Sequence, residues 1–383
     1  NWAHLFFSHP AVASIKQANH LINTFNSSSN NGQFHTLLER PLKFKALMTV
    51  LATFFKIRRS FSRVQSIREV FPTGSNLNLW ALHAEEWKNS LCGSSAIDTC
   101  LKLSLFLEIF DIIPKQRLGV YIAENQPWEM ALIYAWKFHG HGKLIGTPHT
   151  TVRYWDLRYF YDSRSYLRRD FNDLPLPDIL AVNGPVAYKS ILAGGYPSSR
   201  ITEIEALRFL HLAKPHMHQK PRDLTRPLTV LVCGDFLQTT NLKILAWLEL
   251  AAKSLPKDTV YLFRSHPAYP LKLDNYLKLK LKRSNDSLAD LLRNCDVTFT
   301  SNITSAAVDA YCLGVPVIQM LDGNEFNMSP LRGLDNVVYV RNSVELATAL
   351  SKTKQHKLAV TVPYFCLDNT LSRWRDVLDL ISK

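Results

Sequence analysis

Four short polar clusters interrupt apolar stretches in the second half of the chain: "CGDFLQTTN" (233–241), "RSHP" (264–267), "TSNITSAA" (300–307) and "LDGNEF" (321–326). Each follows an apolar run that reads as a β-strand, so each falls at a strand's carboxyl end. The third carries Ser301, Asn302, Thr304 and Ser305 just ahead of the helical pattern "AAVDAYCLG". A helix start offers free backbone N–H groups and the positive end of the peptide dipole, a setting that holds phosphate. Capping of that helix by Thr304 or Ser305 is the structural alternative. His266 closes a neighbouring strand against Pro267, where it can donate to a phosphate or protonate it as it leaves. Its plain alternative is a surface or core histidine with its hydrogen bonds satisfied. Arg264, two residues earlier on the alternating pleat, is expected to point the same way. Asp235 follows "VLVCG" at another strand end, where a simple turn residue after glycine is the competing account.

The elements that must position these residues show in the pattern. From residue 118 onward, short apolar runs alternate with helical periodicity: strands at 118–124, 143–149, 178–184 and 200–206, with a helix beginning at Pro127. "HLAKPHMHQKPRDLTRP" (211–227) is basic, proline-rich and aperiodic, and reads as a linker. Alternation then resumes, with strands at 228–234, 259–267, 296–302, 315–321 and 336–340, and closing helices near 343–351 and 369–382. Such alternation predicts an α/β fold with helix-wound parallel sheets. Two Rossmann-like domains in series are expected: 1–215, with a helical extension over the first 115 residues, and 228–383, joined by a linker at 216–227. In sheets of this kind ligands bind beyond the carboxyl ends of the strands.

Composition narrows the function. The chain has 383 residues, beyond the usual reach of one hydrophobic core, and 46% hydrophobic against 20% charged residues marks an ordinary globular protein. A formal charge of +13 calls for an acidic partner. The cations are scattered, without an aromatic-interleaved platform or zinc-finger spacing, so no nucleic-acid partner is expected. An enzyme for anionic substrates, with peripheral contact to an anionic membrane, fits better. "KALMTVLATFFKIRRSF" (45–61) comes nearest to a membrane span and is too short. Six cysteines without a CxxC pair point to buried thiols and a cytoplasmic location. No secretory signal opens the sequence. No GxGxxG follows a strand, which argues against a nicotinamide oxidoreductase. No DxD, HExxH or Cys/His cluster is present, so no metal and no cofactor are expected.

The strand-end "HP" with "SNITSAAVDAYCLGVPVI" (301–318) resembles the C-terminal domain of GT-B glycosyltransferases that use CMP-activated acidic sugars, the bacterial sialyltransferases and Kdo transferases. "YIAENQPWEMALIYAWKFHGHGKLIGTPHTTVRYWDLRYF" (121–160) and "PDILAVNGPVAYKSILAGGYP" (177–197) resemble a family of bacterial surface-carbohydrate biosynthesis proteins. The resemblance implies two Rossmann-like domains facing each other across a cleft. It also implies transfer of Kdo or a nonulosonic acid from a CMP-activated donor to a glycan acceptor, in O-antigen or capsule synthesis. His266, Pro267, Arg264, Ser301, Asn302, Thr304 and Ser305 would then hold the nucleotide. Asp235 would be the nucleophile or stabilising carboxylate and Glu124 the acid/base. Asn125, Glu129, His149 and Arg153, with Arg158 and Lys143, would meet the donor carboxylate or the acceptor. Both inverting and retaining chemistry remain open. Alternatives are a UDP- or GDP-sugar transferase, a CDP-polyol transferase, and a non-catalytic scaffold in envelope glycan assembly.

Overall fold

The computed structural model describes residues 1–28, 32–39, 44–64, 78–153, 155–166, 174–213, 226–266, 279, 281–284, 286–353, 360 and 362–379. Pro267 and all of the expected linker except residues 226 and 227 lie outside the described residues. In chain order the elements are β1 (Trp2–His4), α1 (Ile15–Ser28), β2 (His35–Leu37), α2 (Phe44–Ser60), α3 (Trp80–Cys92) and α4 (Ser94–Ile112). Then come β3 (Leu118–Ile122), α5 (Pro127–Phe138), β4 (Lys143–Thr147), β5 (Ile179–Val182), α6 (Pro185–Ala193) and β6 (Ile201–Glu203). The remainder comprises β7 (Thr229–Cys233), α7 (Gln238–Ala252), β8 (Val260–Arg264), β9 (Lys282–Arg283), α8 (Leu288–Asn294) and β10 (Val297–Ser301). It closes with α9 (Ala306–Cys312), β11 (Val317–Met320), β12 (Val337–Val340), α10 (Ser343–Ser351) and α11 (Ser372–Asp379).

Two compact units divide the chain: residues 1–145 with 168–178, and residues 146–167 with 179–383. In the first, α4 is buried along Ala96, Cys100, Leu105, Phe106, Ile109 and Phe110 and packs against α2, α3 and α5. Ahead of it, β1 and β2 form a short parallel pair with Trp2 opposite His35. That pair was not expected, because three-residue strands leave no periodic trace. Helix α5 starts where its sequence says it should: Pro127 occupies the first turn, and Gln126 and Glu129 form a capping box. Strands β5 and β6, which belong to the second unit, pair in parallel with Leu180 opposite Ile201.

The second unit holds the six-stranded sheet, ordered β12-β11-β10-β7-β8-β9, its pairings parallel throughout. Strand β10 is buried at all five positions, as a sheet covered on both faces requires. One face packs on α7 and α10 through Val230, Val232, Phe263, Val297 and Phe299 against Ile244, Leu248 and Leu346. The other packs Leu231 and Val317 against Leu292, Ala307, Val308 and Tyr311. Strand order runs outward from β7 in one direction through β8 and β9, and from β10 in the other through β11 and β12. The reversal between β7 and β10 opens a crevice at their carboxyl ends, where α/β sheets take ligands.

The C-terminal segment returns to the β5–β6 region. Ala206 N–H donates to the Cys366 carbonyl at 2.9 Å, and Cys366 N–H donates to the Asn183 carbonyl at 3.1 Å. Phe209 and Phe365 stack with centroids 4.1 Å apart. The buried Glu205 carboxylate accepts the Arg373 and Trp374 N–H groups at 2.9 and 3.0 Å, capping the start of α11. Gly184 makes this return fit, since a Cβ there would lie 2.6 Å from the Tyr364 carbonyl oxygen.

Candidate functional site

The crevice between β7 and β10 leads into a cavity of about 260 Å³. Its walls carry Arg153, Arg208, Asp235, Arg264, His266, Thr304 and Ser305, all within the second unit. Hydrogen-bonded pairing of β7 with β8 sets Cys233 opposite Arg264, and Gly234 N–H donates to the Arg264 carbonyl at 2.9 Å. This register brings the Asp235 turn beside the His266 strand end, where Phe236 meets the His266 ring edge-on at 6.3 Å. Arg264 also donates from its guanidinium to the Asp286 carbonyl, which orients it along the rim. Cys233 lines the cavity as well, but burial pushes its thiol up to about 12 and leaves it unreactive.

Behind the cavity wall lies a buried polar network. Asn241 accepts the Asp235 N–H at 2.6 Å and donates back to the Asp235 carbonyl at 2.8 Å, closing the turn. The Asp235 carboxylate accepts the Leu237 N–H at 2.9 Å and the Ser301 hydroxyl. Gln319 of β11 donates to the Ser301 carbonyl at 2.9 Å and accepts from Ser329 at 2.5 Å. Asn302 donates to the Phe326 carbonyl at 3.0 Å. Asp235, expected as the nucleophile, is only 1% exposed, and both of its oxygens accept hydrogen bonds. Its position is that of an anchor that ties the β7 turn to the end of β10. Ser301 and Asn302, expected on the nucleotide, likewise sit in this network and not among the cavity's lining residues.

Thr304 and Ser305 do reach the cavity. The Thr304 hydroxyl accepts the Ala306 N–H at 3.4 Å, while Ser305, the N-cap of α9, makes no side-chain cap bond. The expected cap is thus weak and falls to Thr304. Arg208, on the short helical turn after β6, was not expected. No pattern in the sequence links it to Arg264, and its place beside the linker gave no strand-end signal. Asp309 of α9 lies 3.8 Å from His211 and feels the charges of Arg208 and Arg264. Burial outweighs those cations and raises Asp309 to about 6.

The remaining expected residues divide between the units. Glu124, Asn125 and Glu129 belong to the first. Glu129 is buried, and its carboxylate accepts the Glu124 and Gln126 N–H groups at 2.7 and 2.9 Å, the work of a capping box. Asn125 adopts φ of 54°, within the left-handed region. Arg153 lines the cavity, whereas His149 is not among its lining residues. Arg158 is held by Asp156 at 2.6 Å. Among the described residues, no cluster of His, Cys, Asp or Glu has the arrangement of a metal site.

Searches against family models and against curated proteins returned no match. Solved structures do match. A protein of Listeria monocytogenes assigned as a UDP-N-acetylglucosamine 2-epimerase is 14% identical, with a TM-score of 0.51 over 74% of this chain and 79% of that one. Anabaena Alr3699/HepE in complex with UDP is 11% identical, with a TM-score of 0.45 over 73% and 82%. TarM of S. aureus is 12% identical, with a TM-score of 0.43 over 73% of this chain, and the match spans only 58% of TarM's chain. The fold is α/β with parallel sheets and GT-B-like, as the alternating pattern and the strand-end resemblance led one to expect.

Proposed function

We propose that this chain is a glycosyltransferase that binds a nucleotide-activated sugar in the strand-end cavity of its six-stranded sheet. The carrying observation is the convergence of Arg153, Arg208, Arg264 and His266 on one cavity at the strand-order reversal. In this reading the guanidinium groups fork onto phosphate oxygens, and Thr304 and Ser305 supply hydroxyl donors beside them. His266 donates to the phosphate that departs, while Asp235 and Ser301 keep the two turns at a fixed spacing.

The donor we favour is a nucleoside diphosphate sugar of the UDP type, in place of a CMP-linked keto-sugar acid. Two adjacent phosphates suit three guanidinium groups on one cavity, and the Listeria relative is assigned to a UDP-sugar. Thermal unfolding with added nucleotides tests both levels. UDP and UDP-N-acetylglucosamine are expected to raise Tm more than CMP. Arg208→Gln with Arg264→Gln is expected to weaken UDP by roughly 10- to 100-fold. A larger shift with CMP would restore the donor expected from sequence, and no shift with any nucleotide would remove the transferase reading.

The same relative favours a second reading, a UDP-sugar epimerase. Incubation with UDP-N-acetylglucosamine and no acceptor separates the two. A product altered at C2 supports the epimerase, and turnover that needs a glycan acceptor supports the transferase.

A further inference from the structure

Helix α2 sorts its side chains into two faces. Ala46, Val50 and Phe54 are buried, the latter two packed with Ala96 and Cys100 of α4. On the other face Phe44, Leu47, Met48, Leu51 and Phe55 are 78, 43, 51, 41 and 52% exposed. At 3.6 residues per turn these five fall within an arc of about 100°. So long a run of large apolar side chains on a protein surface marks a place where something docks. The helix then ends in exposed Lys56, Arg58 and Arg59, with exposed Arg63 in the turn that follows. By the same helical spacing Arg58 falls inside the stripe near its Leu47 edge, and Arg59 just beyond its Met48 edge. Residues 44–64 contain no Asp or Glu.

We propose that this face of α2 docks on a membrane surface carrying anionic headgroups. The apolar stripe enters the boundary between headgroups and acyl chains, and Lys56, Arg58 and Arg59 meet the lipid phosphates. Charge decides the occupant: a chain at +13 is repelled by its own copy and drawn to an anionic surface. Among the described residues no helix is long and apolar enough to cross a membrane, so α2 lies on the surface and does not span it. This docking is independent of what fills the strand-end cavity.

Co-sedimentation with vesicles tests it, using phosphatidylcholine alone and phosphatidylcholine with about one-third phosphatidylglycerol, an anionic surface of the kind such patches bind. The intact chain is expected to pellet with the anionic vesicles, to stay in solution with the neutral ones, and to be released by high salt. Arg58→Gln with Arg59→Gln is expected to lower the partition coefficient roughly 30-fold. Leu51→Ser with Phe55→Ser is expected to lower it at least about tenfold. Val344→Ser, at the still more exposed Val344 of α10, is expected to change nothing. All of these side chains are exposed, so unchanged thermal melts are expected throughout. Failure to bind anionic vesicles, or binding that survives both α2 variants, would overturn the proposal. So would a dimer in solution that Leu51→Ser with Phe55→Ser dissociates, since the stripe would then be an interface between copies.

Discussion

At the carboxyl ends of β7 and β10, polar side chains are buried and bonded to one another across more than sixty residues of sequence, as Ser301 is to Asp235. Along the outer face of α2, large apolar side chains stand in water instead. Both arrangements cost free energy relative to the usual sorting of residues, but they spend it differently. The sheet edge desolvates a carboxylate and recovers that cost through hydrogen bonds that fix two turns, so its geometry exists before any ligand arrives. The α2 face recovers nothing within the chain, and its stabilisation comes only from a docked surface. A preorganised site and an unfinished surface are thus distinguishable by where the compensation lies.

Substitutions can break or sharpen that contrast. The largest loss is expected where α2 faces inward: Phe54→Ala should cost about 4 kcal/mol in urea unfolding, through lost burial and a cavity against Ala96 and Cys100. Asp235→Ala should cost about 3 kcal/mol, because it leaves the Ser301 hydroxyl and Leu237 N–H without their acceptor inside the protein. An Asp235→Ala protein as stable as the parent would mean that the network does not hold the turns.

Asp309 carries a pH-dependent version of the same test. Burial raises it to about 6, so the folded protein favours the neutral acid. Its stabilising contribution is full below about pH 4 and is lost as pH rises through about 6. Asp309→Asn should erase about 2 kcal/mol of pH dependence between those limits, measured by urea unfolding across the range. If the variant keeps the parent's profile, the charge is being titrated elsewhere. The smallest effect is expected at Phe55, next to Phe54 in sequence but about 100° further round the helix, with its side chain 52% exposed. Phe55→Ser should shift stability by no more than about 0.5 kcal/mol, and a larger loss would mean that the stripe is packed within the chain.

Much of this architecture was legible in the sequence. The strands of the six-stranded sheet are apolar runs with polar residues at their ends, and β7, β8, β10, β11 and β12 all fall within the runs read as strands. Pro127 marked a helix start for a local steric reason that survives folding. Short pieces escaped: β1, β2 and β9 span two or three residues, too few for a period to show. The site was legible as far as chain-local chemistry reaches. Arg264, His266, Thr304 and Ser305 sit at strand or helix ends, and they meet in the cavity because parallel strands put such ends on one edge. Asp235 also follows a strand, but its engagement depends on Ser301 across the sheet and on Asn241 one turn into α7. No local pattern encodes that. Arg208 was hidden for the same reason, since only the folded chain sets it beside Arg264.

The return of the C-terminal segment to Glu205 has a consequence for the order of events during synthesis. The Arg373 N–H that this carboxylate accepts lies 168 residues further along the chain. At ribosomal rates of about 5–20 residues per second, roughly 10 to 30 seconds separate the two. Until then Glu205 must stay hydrated, and Phe209 lacks the ring it stacks upon. The β5–β6 region therefore closes only after residues 364–374 have been made, and a chain cut short before Tyr364 keeps an open flank there. Protease sensitivity near residues 183–209 would report whether a nascent chain has grown past these residues.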